Sequence, residues 1–242
     1  MNVLIMGAGG PVAAAAIKAL ETHYTLRLAD IKELEYDHET LIVDIGNPAE
    51  VFEAASGMDA IINFAVLRSD ITKSFDVNIR GAYNVMQAAV KHDIRRIVHT
   101  GPELIIRSEY ADDFFLSAGT TPRPTTGLYG LTKYLSMEVC RIFAEEHDLR
   151  VICFLYHGFR HPPDEEAKPG DEVSPYIISW EDAGEAFRLA LEAEPLPRNF
   201  EAFTIVADLP HRKYSNIKAK TLLGFQPKED FQKLWNRKYE HT

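Results

Sequence analysis

Short runs of Val, Ile and Leu alternate with longer stretches in which apolar residues return every three or four positions, and the alternation starts at the first residue. Such runs mark strands buried on both faces and the stretches between them mark amphipathic helices, so the pattern predicts βα units feeding a parallel sheet. The strands fall at Val3 to Met6, Thr25 to Ala29, Leu41 to Val43, Ala60 to Phe64, Arg96 to His99 and Val151 to Leu155, with Ala202 to Val206 closing the sheet. Helices fall at Pro11 to Glu21, Pro48 to Ala55, Ile71 to His92, Tyr129 to His147 and Glu181 to Ala193, two of them with proline in the first turn. Ser215 to Leu223, ended by Gly224, is a last short helix. The proline-rich stretches Thr121 to Thr126 and His161 to Pro175 read as loops over a site. The expected fold class is α/β, a doubly wound parallel sheet spanning 1–242 as one domain, with loops 158–180 and 195–215 forming a small C-terminal lobe.

Composition narrows the function classes. With 242 residues, 46% hydrophobic and 26% charged, the chain is long and apolar enough to bury a core, which excludes collagen, disorder and a disulfide scaffold. Its 26 basic and 36 acidic residues give a net charge of −10, and the Lys and Arg are not clustered, so no nucleic-acid partner is expected. Met1 to Ala8 is apolar but lacks a basic n-region and is far too short to span a bilayer, so no membrane partner is expected either. Cys140 and Cys153 lie in apolar stretches outside any CxxC or Cys/His cluster. They read as buried thiols in a reducing cytoplasm, and no metal site is expected.

Gly7, Gly10 and Ala13 form a G-x-x-G-x-x-A turn between the first strand and the first helix. A turn without Cβ atoms lets backbone approach a pyrophosphate, and the free amides and positive dipole end of the helix hold the anion. Such turns also occur with no ligand. Here the second strand leads into Asp30, where an acid accepts both ribose hydroxyls of NAD and repels the 2′-phosphate of NADP. The combination predicts a Rossmann-type dinucleotide site with NAD preferred over NADP. Asp44, after the third strand, is placed for the adenine side or is a solvated loop carboxylate.

Tyr129 and Lys133 are four apart in the first turn of a helix, so both project from one face. An ammonium beside a phenol favours the phenolate, which can take a proton from a hydroxyl as hydride leaves its carbon. The same pair also occurs by chance on solvated helix faces.

Taken in order, the glycine turn, Asp30, Asp44-Ile45, Asn63-Phe64-Ala65, Asn78 in Asn-Ile-Arg-Gly-Ala-Tyr-Asn-Val, and Tyr129-Gly-Leu-Thr-Lys133 resemble the extended short-chain dehydrogenase/reductases. Trp180-Glu-Asp182-Ala183 and Ala219 to Pro227 extend the likeness, which runs the length of the chain and looks most like the uronate dehydrogenase branch of the NAD-dependent epimerase/dehydratase group. The resemblance implies NAD held by Gly7, Gly10, Pro11, Val12, Asp30, Asp44, Ile45, Phe64, Ala65, Val66, Asn78, Lys133 and Tyr156. It also implies Tyr129 as general acid/base and Lys133 as the group that holds the nicotinamide ribose and tunes the phenol.

Two departures stand out. The family's catalytic Ser or Thr falls by position on Pro102, which has no donor at all. Thr100, two residues earlier, is the candidate replacement, and Glu103, Thr125 or Thr126 are others that can orient a substrate. Tyr156 stands where related enzymes often carry arginine. Arg68, Ser69 and Arg160, at or beyond strand ends, suggest a cationic site for a sugar acid. His157 and His161 lack metal-pair spacing, and Asp112, Asp113, Asp164, Glu165 and Glu166 read as solvated loop carboxylates. Apolar residues cover more than one face of the helices at 71–92 and 129–147, which predicts a second contact surface; in related enzymes these helices form a dimer interface, and a homodimer is expected. The resulting expectation is an oxidoreductase of sugar-like substrates, with an epimerase that keeps its NAD, or a non-catalytic dinucleotide sensor, as alternatives.

Overall fold

Alternate residues of each strand enter opposite layers, as the apolar runs require. Val3 and Ile5 of β1 (Asn2–Met6) pack into one core layer while Leu4 and Met6 pack into the other. The computed structural model describes residues 1–102, 121–161, 173–174, 176–210 and 214–235. After β1 come α1 (Pro11–Leu20), β2 (Thr25–Asp30), β3 (Glu39–Ile42), α2 (Pro48–Ala55), β4 (Ala60–Asn63) and α3 (Ile71–Phe75). A wide π-helical turn (Asp76–Arg80) leads to α4 (Gly81–Lys91), β5 (Arg96–Pro102), α5 (Leu128–Glu146), β6 (Arg150–Tyr156) and β7 (Gly158–Arg160). The chain continues through β8 (Ile177–Ser179), α6 (Trp180–Glu192), β9 (Phe200–Thr204) and α7 (Ile217–Leu223).

Seven strands form one sheet in the order β3-β2-β1-β4-β5-β6-β9, every pair parallel. Helices α1, α6 and α7 cover one face and α2, α4 and α5 the other, which makes this the doubly wound Rossmann-type fold expected from the sequence. The strand order reverses direction between β1 and β4, and ligands of such sheets bind outside the carboxyl ends at that point. On the first face Phe64, Phe154 and Phe187 meet edge to face at centroid distances of 4.8 and 5.1 Å, fixing α6 beneath the ends of β4 and β6.

Several boundaries differ from the sequence reading. The helix expected at Ile71 to His92 is interrupted by the π turn. The wider turn carries Asn78 inward, where it donates to Leu67 O and Thr132 Oγ1 (both 2.8 Å) and accepts from Leu67 N (2.8 Å). The strand placed at Leu41 to Val43 is Glu39–Ile42, a largely exposed edge that apolar content does not reveal. The strand ended at His99 continues through Gly101 and Pro102, in register with Leu155 and Tyr156. The last strand of the sheet is Phe200–Thr204 rather than Ala202 to Val206, and β7 pairs in parallel with β8 within the stretch read as loop.

Asp182, the acid of the Trp180 segment, is buried at the start of α6, capped by Ser179 and accepting from the amides of Lys228 (2.9 Å) and Glu229 (3.1 Å). It ties the C-terminal segment to the domain. Helices α1 and α6 cross closely at Gly184, where a Cβ would sit 2.5 Å from Ala15 O. Gly184→Ala therefore forces two backbones apart and is expected to lower stability by about 1–3 kcal/mol. The check is the urea midpoint at constant slope, and an unshifted midpoint would refute the close crossing.

Candidate active site

The first strand ends in a turn that permits no side chain. Gly7 has φ +76°, and a Cβ on it would lie 2.5 Å from Ala65 N, in the loop after β4. The amides of Gly7 and Ala8 both donate to Ala29 O. Gly10 is different, because its φ is an ordinary −84° and a Cβ there would meet only Gly7 O at 3.6 Å. Neither backbone nor packing demands glycine at this position, and its missing side chain leaves room for a ligand to come close. Gly10 is also the N-cap of α1, and no side chain caps that helix. Pro11, Val12 and Ala13 of its first turn line an open cleft. An uncapped helix end opening into a cleft suits a pyrophosphate.

Asp30 closes β2 beside this turn. Its Oδ2 accepts from Gly9 N (2.9 Å) and its Oδ1 from Lys32 N (3.2 Å). A carboxylate offers about four acceptor sites, so two of them remain for ribose hydroxyls. Gly9, which the motif reading passed over, leaves space for this acid: a Cβ on it would be 3.1 Å from Asp30 Oδ2. The Gly9-Gly10 doublet was the available signal. These residues fit a bound dinucleotide.

The opposite wall of the cleft is formed by Phe64, Val66, Arg68, Thr100, Tyr129, Lys133 and Tyr156. Tyr129 and Lys133 lie one turn apart on α5, the phenol half-buried and the lysine only 2% exposed. The Lys133 ammonium is pulled down to about 8, chiefly by burial, with the Cys153 and Cys140 thiols opposing the shift and neighbouring Arg68 adding to it. Burial also pushes the Cys153 thiol up to about 12 and the Cys140 thiol higher still. Both thiols therefore stay neutral at neutral pH and give Lys133 no counter-charge. Behind the lysine, Ser136 donates to Lys133 O (2.8 Å) while its Oγ lies 3.0 Å from His99 Nε2. His99 is held neutral, first by burial and then by Lys133.

Thr100 lies in the wall, where its hydroxyl donates to Asn63 O (3.1 Å) and also hydrogen-bonds with the Tyr156 phenol. Pro102 closes β5 with no side-chain donor. Tyr156 is buried and edge-on to Phe159 at 4.9 Å, and burial holds its phenol well above its ordinary value. The Arg68 guanidinium carbon stands 4.4 Å from the centre of the Tyr129 ring, and its Nη2 is 3.5 Å from the Tyr129 hydroxyl.

The remaining expected residues are scattered. Asp44 folds back on Gly46 N (2.8 Å) in an exposed turn, and Ile45 packs under α4 with its carbonyl held by Asn84 (2.9 Å). Asn78 clamps the loop at Leu67 instead of lining the cleft. Ser69 is exposed and Arg160 lies on β7. Thr125 accepts from Gly127 N (3.3 Å) before α5, and Thr126 is exposed. Glu103, Asp112, Asp113, Asp164, Glu165 and Glu166 lie outside the described residues. Among the described residues no three His, Cys, Asp or Glu side chains gather as a metal site, and no helix is long and apolar enough to cross a membrane.

Residues 3–179 match the model of the NAD dependent epimerase/dehydratase family. The NAD-dependent glucose-6-phosphate dehydrogenase of Haloferax volcanii is 24% identical, over 94% of this chain and 93% of its own. The L-arabinose 1-dehydrogenase (NAD(P)(+)) of the same organism is 25% identical, over 95% and 97%. Among solved structures, a variant of uronate dehydrogenase from Agrobacterium tumefaciens complexed with NAD superposes with a TM-score of 0.77 at 19% identity, covering 94% of this chain and 84% of that one. That likeness speaks for the fold.

The buried ammonium has a thermodynamic consequence. Its proton is held less tightly folded than unfolded, so stability rises with pH between about 8 and the ordinary lysine value of 10.5. Below about 8 the full penalty of about 3 kcal/mol is present. Cofactor-free Lys133→Met is thus expected to be more stable than wild type near pH 7 by roughly that amount, the gap shrinking toward pH ~10. Denaturant midpoints of both proteins across this range check it, and a gap independent of pH would show that Lys133 carries no such penalty.

Proposed function

The chain belongs to the NAD dependent epimerase/dehydratase family, and from that premise we propose that it passes a hydride between nicotinamide and a hydroxyl or carbonyl group of a sugar or sugar acid. The observation that carries the reading is a buried Lys133 one turn from Tyr129, both opening into the cleft that receives the uncapped end of α1. When bound, the nicotinamide supplies the hydride acceptor or donor. Tyr129 Oη takes the hydroxyl proton during oxidation and returns it during reduction. Lys133 sets positive charge beside that oxygen and is placed to hold the cofactor ribose. Asp30 reads the ribose hydroxyls and disfavours a 2′-phosphate, which gives NAD the preference over NADP.

Two other features belong to this reading. Tyr83 on α4 is 47% exposed and Ile142 on α5 is 50% exposed, beside the edge contact of Tyr83 with Phe143 at 5.5 Å. This apolar strip supports a homodimer through α3, α4 and α5; sedimentation at micromolar concentration checks it, and a monomer would count against it. The free, buried thiols of Cys140 and Cys153 suit a reducing cytoplasm.

A dinucleotide-binding sensor is the competing reading, favoured by Pro102 and by the commitment of the Thr100 proton to Asn63. A panel of aldoses, sugar phosphates and uronates with NAD, read by NADH absorbance and by product analysis, separates the cases. The dehydrogenase reading expects NADH formation that falls by at least about a hundredfold in Tyr129→Phe. It also expects the preference for NAD over NADP to narrow by about tenfold to a hundredfold in Asp30→Ala. Isomerised sugar without net NADH means an epimerase. NAD binding with no conversion anywhere in the panel would overturn the enzymatic reading in favour of the sensor.

A further inference from the structure

Two cations and no carboxylate line the described part of the cleft. Lys133 is the buried one. Arg68 is exposed, comes from the loop after β4, and is paired with no carboxylate among the described residues. Exposed arginines usually find solvent or an acid, yet this one lies across an aromatic face, 4.4 Å from the centre of the Tyr129 ring, with Nη2 reaching toward the phenol oxygen at 3.5 Å. Its position also lowers the pKa of Lys133, so its placement costs electrostatic energy as long as the phenol is neutral. That repulsion is relieved when negative charge appears between the two cations. Tyr129 Oη, 3.5 Å from Arg68 Nη2 and one helical turn from Lys133 in the same cleft wall, is a group there that can ionise.

We propose that Arg68 is a second catalytic cation, whose guanidinium stabilises the Tyr129 phenolate from the ring face and edge while Lys133 does so from the helix. The inference rests on the reading of Tyr129 as the acid/base. A cation over an aromatic ring is attracted by the negative face of its quadrupole, and a phenolate ring strengthens that attraction. At the ring edge, a charge-assisted N–H···O⁻ bond is shorter and stronger than one to a neutral hydroxyl, so the 3.5 Å separation is expected to contract on ionisation. The arrangement also meets a need peculiar to this chain. The end of β5 offers Gly101 and Pro102 without side-chain donors, and the Thr100 proton is committed to Asn63 O. The Arg68 fork has further N–H groups, one of which can donate to a substrate oxygen next to Tyr129 Oη. During oxidation the substrate C–H electron pair leaves as hydride for the nicotinamide and the O–H proton goes to Tyr129 Oη. Arg68 keeps its own proton throughout.

The test needs no substrate. Phenolate formation is followed by ultraviolet difference titration of the cofactor-free protein, with Tyr129→Phe subtracted to isolate this one phenol, in wild type, Arg68→Met, Arg68→Gln and Arg68→Lys. The expected result is a wild-type phenol below the ordinary value of about 10. Loss of the charge in Arg68→Met and Arg68→Gln should raise it by about one unit or more, and Arg68→Lys should restore part of the shift. Since Arg68 is exposed, the variants are expected to fold, and either neutral variant suffices for the comparison. A phenol that is low in wild type and equally low in the neutral variants overturns the role of Arg68 while leaving Tyr129 as the base. A phenol near 10 in wild type overturns both.

Discussion

The end of the first strand and the loop after the fourth meet where there is no room for a side chain, and the site depends on that contact. With a Cβ at position 7 excluded by Ala65 N at 2.5 Å, the chain turns through a positive φ and enters α1 with its free end over the sheet. The same contact fixes the neighbouring loop. Ala65 N is bonded to Asn63 Oδ1 (3.0 Å) and Leu67 is held at both backbone groups by Asn78. The chain between them carries Val66 and then Arg68 into the wall of the cleft. One steric condition at the point of reversal thus aligns the uncapped helix end and the cationic loop on opposite sides of one space.

The second constraint is electrostatic. A lysine buried without a carboxylate is unfavourable, and its position is maintained by bonds made to its backbone. Ser136 gives its only proton to Lys133 O, so it must receive one from His99, which fixes the His99 tautomer as Nε2–H and leaves Nδ1 without a partner. The next residue toward the N-terminus, Thr132, is bonded to Asn78. Helix α5 is thereby clamped to β5 and to the π turn at the two residues that matter for aiming Lys133. Every titratable neighbour on the protein side stays neutral, so the ammonium has its opposite charge only where the cleft provides one. The site is less stable for it, and chemically poised.

The parts of this design that repeat with a period were legible in the sequence. Strands buried on both faces, helices opening with proline, the glycine turn and the four-residue spacing of Tyr129 and Lys133 all follow from local pattern. Features set by contacts across tens of residues were not. The π turn keeps helical dihedrals at its ends, so apolar periodicity cannot distinguish it from continuous helix; its reason lies 54 residues away in Thr132. The fifth strand reads as ending at His99, although pairing with Leu155 and Tyr156 carries β5 through Gly101 and Pro102. Asp182 matches a recognisable segment, but that its carboxylate anchors Lys228 and Glu229 is visible only once the chain has folded. Arg68 reads as a loop cation until its ring partner, 61 residues on, is known.

The extension of β5 and the loss of a hydroxyl donor at its end are one event. A strand that stopped at His99 would leave Thr100 in a loop, free to turn its hydroxyl toward a ligand. Because pairing with β6 continues to Pro102, Thr100 is held within the sheet, where it donates to the Asn63 carbonyl of β4. Proline suits this end of the strand, since it closes the ladder without a donor to satisfy. The donors left on the cleft side then come from elements whose positions β5 does not set, the loop after β4 and the first turn of α5. The proposed proton handling would therefore be gathered on Tyr129, one turn from a buried lysine that its own helix aims and beneath an exposed arginine that the neighbouring loop lays across its ring.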